Sequence, residues 1–262
     1  MASTQRHKAE VFRELHRGGC FVIPNPFDAG SARLLTDMGY AALATSSGAA
    51  AGVLGRRDGE LTRDEALAHA RAIVAATDLP VAADLENGFG DTPEDAASTI
   101  RLAAEAGLVG GSIEDAGGVH DRRIYDFGHA VERIAAAAEA ARGLPFPFML
   151  TARCENFLRG RPDLDDTIRR LQAYERAGAD VLFAPLLPEL DAVRTVCAAL
   201  TRPVNFMVAR KGLSFSVAEL RDAGVRRISL ATSLYRAAME GLRVAAQEVR
   251  QQGSFGFLDR LP

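Results

Sequence analysis

The segment VAADLENGFG, residues 81–90, places two acidic residues directly after a short apolar stretch. Asp84 and Glu86 stand one residue apart and precede a Gly-x-Gly turn. Mg²⁺ is commonly held by one or two carboxylates together with retained waters, so this pair is a candidate metal site. The alternative is that Asp84 caps a helix while Glu86 is solvated. The pair alone does not separate the two interpretations.

A second acidic segment favours the metal interpretation. SIED, residues 112–115, ends the next apolar stretch and supplies Glu114. Carboxylates that converge from neighbouring strands repel one another, and a bound cation relieves that repulsion. We therefore expect Asp84 to bind the ion directly, and Glu86 and Glu114 to act directly or through water.

An arginine and a small-residue turn complete the candidate chemistry. Arg153, in TARCEN (151–156), emerges from an apolar strand, where its usual partner is a carboxylate of a ligand or of the protein. A structural ion pair with Glu155 or Glu114 is the alternative. Ser47 and Gly48 follow another apolar stretch, and backbone N–H groups in such a turn can point at an oxyanion.

Candidate proton carriers are fewer. His120 lies in the glycine-rich segment AGGVHDRR (116–123), where it could shuttle protons or simply lie on the surface. Lys211 could form a Schiff base or bind phosphate, with a solvated loop lysine as the alternative. Cys154 has no histidine at a strand end beside it, so we do not assign it as a nucleophile. The other histidines fall in helical stretches and are expected at the surface: His7, His16, His69 and His129.

The elements that must position these side chains alternate regularly. Eight short β-type runs are each followed by an amphipathic helical pattern, as in DDTIRRLQAYERAG, residues 165–178. Eight such units in 262 residues predict a (β/α)₈ TIM-type barrel of class α/β. An open doubly wound sheet is the competitor, but the first turn, PNPFDAGSA (24–32), lacks its glycine-rich fingerprint. We expect one barrel domain over residues 1–262, with an extra N-terminal helix at about 4–17. The runs are 20–25, 41–46, 80–85, 109–114, 146–152, 179–185, 203–208 and 226–231.

Composition limits the partners. Hydrophobic residues are 48% and charged residues 25%, as in ordinary globular proteins, and the net charge of −3 gives no basic face for nucleic acid. Three cysteines at unrelated spacings indicate no disulfide framework. No signal-like or membrane-spanning apolar run is present, so we expect no membrane partner and a cytoplasmic location.

The motifs in their order resemble the isocitrate lyase / phosphoenolpyruvate mutase superfamily. The resemblance runs through residues 23–62, ADLENGFG (83–90), SIEDA (112–116), LTARCENF (150–157) and AGVRRISLATSLYRAA (223–238). It implies a Mg²⁺-dependent barrel, with Mn²⁺ as a substitute, that handles small 2-oxo and 2-hydroxy acids through an enolate-like intermediate or cleaves P–C bonds. It also implies a homo-oligomer, a dimer or tetramer, in which the last helix is exchanged between subunits.

The resemblance also implies individual roles. Ser47, Gly48 and Ala49 would contact the substrate carboxylate and oxygens, and Arg153 would bind the substrate oxygens. Asp84 would be the main metal ligand and a substrate contact. The metal set would be Asp84, Glu86, Glu114 and Asp58, the last of which supports the ion's water shell.

Two departures from the family pattern bear on the reaction. Glu86 stands where the family usually has aspartate, which puts the geometry of the metal site in question. The stretch EDAGGVHDRRIYDF (114–127) lacks the Lys-Lys/Arg-Cys-Gly-His loop, which argues against isocitrate or methylisocitrate cleavage. Residues that the mutase uses there are absent too, and Pro185 replaces its histidine.

These features predict a carbon–carbon lyase or decarboxylase acting on a small oxaloacetate-like acid. Ser47 and Arg153 would stabilise the enolate, and His120, Tyr125 or a metal-bound water would protonate it. Three alternatives stay open. They are P–C bond chemistry on a phosphonate, a class I aldolase using Lys211, and a carboxylate-binding barrel without catalysis.

Overall fold

The computed structural model describes residues 4–118, 123–212 and 215–260. Within these residues eight strands form one fully parallel sheet in the order β1-β8-β7-β6-β5-β4-β3-β2. Between the two end strands, the Ala44 N–H donates to the Pro24 carbonyl at 3.1 Å, which nearly closes the sheet into a barrel. The strands are β1 (Phe21–Ile23), β2 (Leu43–Ala44), β3 (Val81–Asp84), β4 (Gly110–Glu114), β5 (Met149–Arg153), β6 (Val181–Phe183), β7 (Val204–Met207) and β8 (Arg227–Ser229).

Helices alternate with the strands, and each strand lies within its predicted run except β5, which extends one residue beyond it to Arg153. The predicted (β/α)₈ TIM-type barrel is therefore confirmed. The helices are α1 (Gln5–Leu15), α2 (Ala29–Asp37), α3 (Ser47–Val53), α4 (Arg63–Ala75), α5 (Pro93–Glu105), α6 (Phe127–Arg142), α7 (Leu164–Ala177), α8 (Leu190–Ala198), α9 (Val217–Asp222) and α10 (Ser233–Gln252), with a 3₁₀ helix at Gly256–Arg260.

Local sequence signals set where the helices begin. Thr62, Thr92 and Ser216 each start a helix with a capping box, in which the side chain and the acid three residues later satisfy each other's backbone N–H groups. The acid also lies in the first turn, where the helix dipole favours negative charge. These starts hold the helices against the outside of the barrel.

The extra N-terminal helix closes the bottom of the barrel. Thr4 caps α1, and Phe12 on its inner face is fully buried. Phe12 packs in a cluster that includes Met149 and Val181, the first residues of β5 and β6. The helix at 4–17 was predicted from the sequence, and the structure shows that it acts as a plug.

An ion-pair network joins α7 to the ends of β4 and β5; we call Asp115, Asp166, Arg170 and Tyr174 the α7 network. Arg170 lies between the two acids, with Nε 2.9 Å from Asp166 Oδ2 and Nη1 3.2 Å from Asp115 Oδ2. Asp115 also accepts from the Tyr174 hydroxyl and, at 2.8 Å, from the backbone N–H of Glu155. The network thereby fixes the chain where it leaves β5.

Candidate active site

Three predicted site residues are the last residues of consecutive strands. Asp84 ends β3, Glu114 ends β4 and Arg153 ends β5. Glu114 is paired with Arg153 in the sheet register, and Asp84 is paired with Ser112. The carboxyl ends of parallel barrel strands meet at one face, where active sites of this fold lie. The structure thus brings these side chains together.

Asp84 is held by hydrogen bonds on both oxygens. Its Oδ1 accepts from Arg153 Nη1 at 2.9 Å and from the Glu86 N–H at 3.3 Å. Its Oδ2 accepts from the Ser47 hydroxyl at 3.0 Å and from the Ser47 N–H at 3.4 Å. Both donors to Oδ2 are neutral groups, so a cation there would leave the ion pair between Oδ1 and Arg153 in place.

Arg153 is buried and lies among three carboxylates. Besides Asp84, its Nη2 is 3.1 Å from Glu114 Oε2 and 2.9 Å from Glu155 Oε1. Burial alone would lower the pKa of Arg153, but the surrounding acids, Glu155 first, raise it well above its ordinary value. The predicted structural ion pairs are therefore present, and they aim the guanidinium at the strand-end acids.

The acids of the site outnumber the cations that neutralise them. Burial, and then the charges of Asp84 and Asp58, raise the pKa of Glu86 to about 8. Burial and the neighbouring Glu155 raise the pKa of Glu114 well above its ordinary value. Among the ion pairs of the described residues, none involves Asp58 or Glu86. The site carries an excess of negative charge that a cation would relieve.

Glu86 is also unusual in its backbone. Its φ of 53° lies in the left-handed region, which costs a non-glycine residue about 1–3 kcal/mol and is tolerated mostly at functional sites. Its carbonyl accepts from the Glu114 N–H at 2.9 Å, and its N–H donates to Asp84. These bonds hold the turn against β4 and keep the glutamate beside the other acids.

Ser47 and Gly48 begin α3 beside this cluster, and Ala49 follows them. A Cβ on Gly48 would stand 2.8 Å from Thr232 Cγ2 and 3.2 Å from the Asp58 carboxyl, so only glycine lets these groups approach. Ala49 is fully buried, and its N–H bonds to the cap Ser46. The structure therefore places Ser47, Gly48 and Asp58 at the mouth and turns Ala49 inward.

Two cavities meet at this face. One of about 360 Å³ is lined by Ser47, Asp58, Asp84 and Arg153 and continues into the barrel interior. The other, of about 260 Å³, is lined by the same Ser47, Asp58 and Arg153 together with acids of the site. Small-molecule sites are commonly concave and of this size. We call Asp58, Asp84, Glu86 and Glu114 the mouth cluster.

The mouth cluster fits a hard divalent cation by its chemistry. All its donors are carboxylate oxygens, which Mg²⁺ prefers, and its charge excess is of the right sign. Across residues 4–118, 123–212 and 215–260, no three His, Cys, Asp or Glu side chains already form a closed ligand set. This arrangement suits an ion that keeps most of its waters and takes one or two carboxylates directly.

The other predicted residues lie elsewhere. Tyr125 is buried and bonded to Asn87 and Asp91, and it lines neither cavity of the mouth. Burial and the bond to Asp91 raise the pKa of its hydroxyl to about 12. Lys211 is exposed and also outside both linings. His120 falls in 119–122, outside the described residues.

One expectation about the histidines is wrong. His16 was expected at the surface, but it is buried at the end of α1, beneath the barrel. Burial, followed by the charge of Arg227, lowers the pKa of His16 to about 3, so the ring is neutral. The helical pattern of α1 does not show that its last turn lies under a barrel.

Sequence reasoning also missed two arginines. Arg159 lies in the loop after β5, and its Nη2 is 3.1 Å from Glu114 Oε1. Arg227 begins β8, beside the exposed Arg226, and reaches the floor of the larger cavity. The signal for Arg227 is strand alternation, which turns one residue of the Arg226–Arg227 pair inward, but the sequence does not say which one.

Fold and site together define a (β/α)₈ barrel with an acid-rich strand-end pocket. Residues 12–250 match the family model described as phosphoenolpyruvate phosphomutase, and the chain belongs to this family, within the isocitrate lyase / phosphoenolpyruvate mutase superfamily. The predicted family resemblance is thereby confirmed.

Several relatives are similar over almost the whole chain. 2-Methylisocitrate lyase of Escherichia coli (strain K12) is 32% identical over 242 residues, which are 88% of this chain and 80% of the relative. A Burkholderia cenocepacia J2315 protein, described in general terms as a lyase/mutase, is 54% identical with a TM-score of 0.95, covering 98% of this chain and 93% of its own. The structure of 2,3-dimethylmalate lyase is 27% identical with a TM-score of 0.87, covering 95% and 89%.

No helix in the described part of the chain combines the length and the apolar character that crossing a membrane requires.

Proposed function

We propose that this protein is a Mg²⁺-dependent lyase that cleaves a carbon–carbon bond in a small 2-oxo or 2-hydroxy dicarboxylic acid. The class of the reaction follows from the family, whose relatives include lyases. The observation that carries the rest is the mouth cluster, an excess of strand-end carboxylates that faces Arg153 and Ser47 across one cavity.

Asp84 is the proposed direct ligand, through Oδ2. The charge of Asp84 contributes to the raised pKa of Glu86, Glu114 and Asp58, which would hold the ion's waters. When bound, Mg²⁺ supplies Lewis-acid polarisation of a substrate oxygen. Glu86 is one methylene longer than aspartate, which suits contact through a water.

Arg153 and Ser47 are the proposed substrate-binding groups. Arg153 stays cationic and is fixed by three acids, so it presents a preorganised positive charge where an enolate oxygen would develop. Ser47 bonds to Asp84 and lies at the start of α3 beside Gly48, whose missing side chain lets Asp58 approach. These groups hold charge in the same place before and during the reaction.

The substrate class follows the relatives' names. 2-Methylisocitrate and 2,3-dimethylmalate are both hydroxy acids with more than one carboxylate, and breaking a bond next to the carbinol carbon leaves an enolate. A small oxaloacetate-like or malate-like acid fits a cavity of about 360 Å³. The enolate then needs one proton.

His120 and solvent are the proposed sources of that proton. The linings of the two mouth cavities contain no described histidine or tyrosine, and Tyr125 lies outside both. We expect His120→Asn to lower kcat by about 10²-fold with little change in KM, as loss of a general acid does. An unchanged kcat would leave solvent as the donor.

P–C bond chemistry is the second candidate, because the family model is that of a phosphomutase. A third is a barrel that binds carboxylates without turning them over. The aldolase alternative has lost support, since Lys211 is exposed and lines neither cavity.

A substrate panel separates these candidates. We would assay 2-oxo, 2-hydroxy and phosphono acids by NMR, with Mg²⁺ and after EDTA treatment. The proposal predicts C–C cleavage products that disappear with EDTA and with Asp84→Ala. Phosphate released from phosphonopyruvate alone would favour the second candidate, and ligand-induced stabilisation without products would favour the third.

The oligomer stays part of the proposal. No residue of the 20-residue α10 is buried, and Met239, Leu242 and Val249 are exposed apolar residues on it. Such a helix needs a partner surface, which suits the exchange of α10 between subunits. Light scattering should show a dimer or tetramer for the wild type and a smaller species for Leu242→Asp. A wild-type monomer would contradict this.

A further inference from the structure

The larger cavity reaches deep into the barrel, and its walls are unusual for this fold. Barrel interiors are normally filled by layers of bulky branched side chains. Here bulky side chains such as Ile23, Phe183 and Met207 make up only part of the cavity wall. The rest is small or polar and includes Ala44, Ala82, Ser112, Thr151, Asn205 and Ser229. A partly polar shaft therefore runs from the mouth cluster toward the barrel floor.

Arg227 lies at the bottom of this shaft. The residue is only 7% exposed, and its Nε donates to Asn205 Oδ1 at 2.8 Å. Its Nη2 donates to the Thr151 hydroxyl at 2.9 Å. We call Arg227, Thr151 and Asn205 the floor site.

The third contact of Arg227 comes from α1. Its Nη1 is 3.3 Å from His16 Nε2, and His16 Nδ1 is 2.8 Å from the Phe12 carbonyl. A carbonyl only accepts, so Nδ1 carries the proton and Nε2 accepts from Arg227. His16 is thus a neutral hydrogen-bond acceptor for Arg227 and supplies no negative charge.

Among the described residues, no carboxylate forms an ion pair with Arg227, whereas Arg153 at the end of β5 and Arg170 on α7 each have at least two. Arg133 on α6, which is also buried, donates to three backbone carbonyls, and Arg227 has only neutral side chains around it. Burial alone lowers the pKa of Arg227 to about 9, which still leaves it charged at neutral pH. A buried charge without a partner costs several kcal/mol, so a purely structural role is a poor explanation.

We propose that the floor site binds the second carboxylate of a dicarboxylic substrate whose 2-oxo or 2-hydroxy acid end lies at the mouth. This inference rests on the proposed function and adds the residue that selects diacids. A carboxylate there would supply the missing counter-charge and could take a bidentate pair of guanidinium hydrogen bonds.

The dimensions agree with a short diacid. Thr151 and Arg153 lie on the same face of β5, two residues apart, which is a rise of about 6.6 Å. Arg153 belongs to the mouth and Thr151 to the floor site, so the two sites are separated by a distance on the scale of a short dicarboxylic acid. The same cavity is lined by both residues, which makes the path continuous.

Two ligands that differ only in the distal group test this proposal. Malate and 2-hydroxybutyrate share four carbons and the 2-hydroxy acid end, but a methyl group replaces the second carboxylate. We would measure Kd by isothermal titration calorimetry with Mg²⁺ present. The wild type should bind malate at least about 10-fold more tightly. Arg227→Met should reduce that preference to about twofold or less.

Two variants control the experiment. Arg226→Met makes the same change at the neighbouring exposed residue and should keep the malate preference. Asn205→Asp places a carboxylate beside Arg227 Nε and should remove the preference in a folded protein. The Ser229 hydroxyl, which accepts from Asn205 Nδ2 in the wild type, can rotate to donate to that carboxylate. The melting temperature of Arg227→Met should equal or exceed that of the wild type, whereas a structural role predicts a decrease.

The outcomes distinguish this proposal from the lyase itself. A malate preference that persists in Arg227→Met and Asn205→Asp would overturn the floor site, whatever the enzyme cleaves. Stabilisation by inorganic phosphate with no malate preference would also overturn it and identify a free-anion site. A preference lost in both variants, with no cleavage of any 2-oxo or 2-hydroxy acid, would retain the floor site and reject the lyase.

Discussion

Two groups of buried acidic side chains in this barrel have opposite electrostatic surroundings. In the α7 network, burial would raise the pKa of Asp166, but hydrogen bonds from Asn156, Arg169 and Arg170 lower it to about 2. In the mouth cluster, burial and the charge of Asp84 raise the pKa of Glu86 to about 8. Burial raises the pKa of Asp115, the other acid of the α7 network, but Arg170 pairs with both acids of that network, so this group is neutralised by the protein itself. The other is left to be neutralised by something that binds.

The α7 network has the charge balance of a structural group, and the mouth cluster has the imbalance of a functional one. A balanced network stabilises the fold and leaves no capacity for a ligand. An unbalanced cluster costs stability in the free protein and gains it on binding, which is how functional sites commonly differ from the rest of a protein. Arg227 extends the same contrast to positive charge, since within the described part of the chain Arg170 pairs with two carboxylates and Arg227 with none.

The largest effect is expected for Asp84→Asn. Turnover should fall by about 10³-fold or more, because the proposed direct ligand is lost and Arg153 loses one of its fixed partners. The melting temperature should stay constant or rise, since one charge leaves a crowded cluster. Steady-state kinetics and calorimetry on one preparation measure both. A melting temperature that falls steeply together with activity would place Asp84 in the structural group.

Arg170→Met should show the opposite pattern, a large loss of stability with little change in turnover. It leaves Asp115 and Asp166 buried without their shared cation, which costs about 3–5 kcal/mol. Urea unfolding should show this loss, and kcat at a temperature where the variant is folded should change by only a few-fold. Arg169→Met, which removes an exposed partner of Asp166, is the control and should cost less than about 1 kcal/mol.

The sequence predicted the fold better than the pairing of the site residues. All eight strands, α1 and the strand-end positions of Asp84, Glu114 and Arg153 follow from periodicity and from the barrel rule. Ion pairs of Arg153 with Glu155 or Glu114 were foreseen only as an alternative, and its pair with Asp84 was not foreseen, because Asp84 comes from β3, which is distant in sequence.

Arg227 and Tyr125 show why the rest could not be predicted. An arginine in a strand is expected to face outward, and only the three-dimensional register turns Arg227 to the floor. Tyr125 follows the β4 loop closely in sequence, yet its hydroxyl points to Asn87 and Asp91, away from the mouth cavities. In both cases the side chain's direction depends on contacts distant in sequence.

The protein should lose the stabilising contributions of the mouth cluster and of the α7 network at opposite ends of the pH scale. Glu86 has a folded pKa of about 8, above its ordinary 4.5, so its contribution is present at low pH and is lost as pH rises from about 4.5 to about 8. Asp166 has a folded pKa of about 2, below its ordinary 3.8, so its contribution is lost as pH falls through about 4 to 2.

Melting temperatures of metal-free protein across pH check these signs. Glu86→Gln should flatten the upper limb, and so should Mg²⁺ on the wild type, while Asp166→Asn should alter only the acid limb. If the upper limb is unchanged in Glu86→Gln and insensitive to Mg²⁺, the surroundings of Glu86 do not raise its pKa.

The smallest effect is expected for Glu86→Asp. Aspartate tolerates the left-handed backbone at this position better than glutamate does, and a water can span the shortened distance. We expect the Mg²⁺ dissociation constant to change by less than about 10-fold, measured by calorimetric titration, with Glu86→Ala as the larger loss. A complete loss of binding in Glu86→Asp would make Glu86 a direct ligand.

The most direct test of the charge imbalance is the proton count on metal binding. At pH 7 Glu86, with a pKa of about 8, is mostly protonated, and a cation at the mouth cluster must displace that proton. Titration of Mg²⁺ into metal-free protein in buffers of different ionisation enthalpy should give one site and the release of about one proton. Asp84→Asn should show no such binding. Binding without proton release, or no binding to the wild type, would contradict the assignment of the mouth cluster as a cation site.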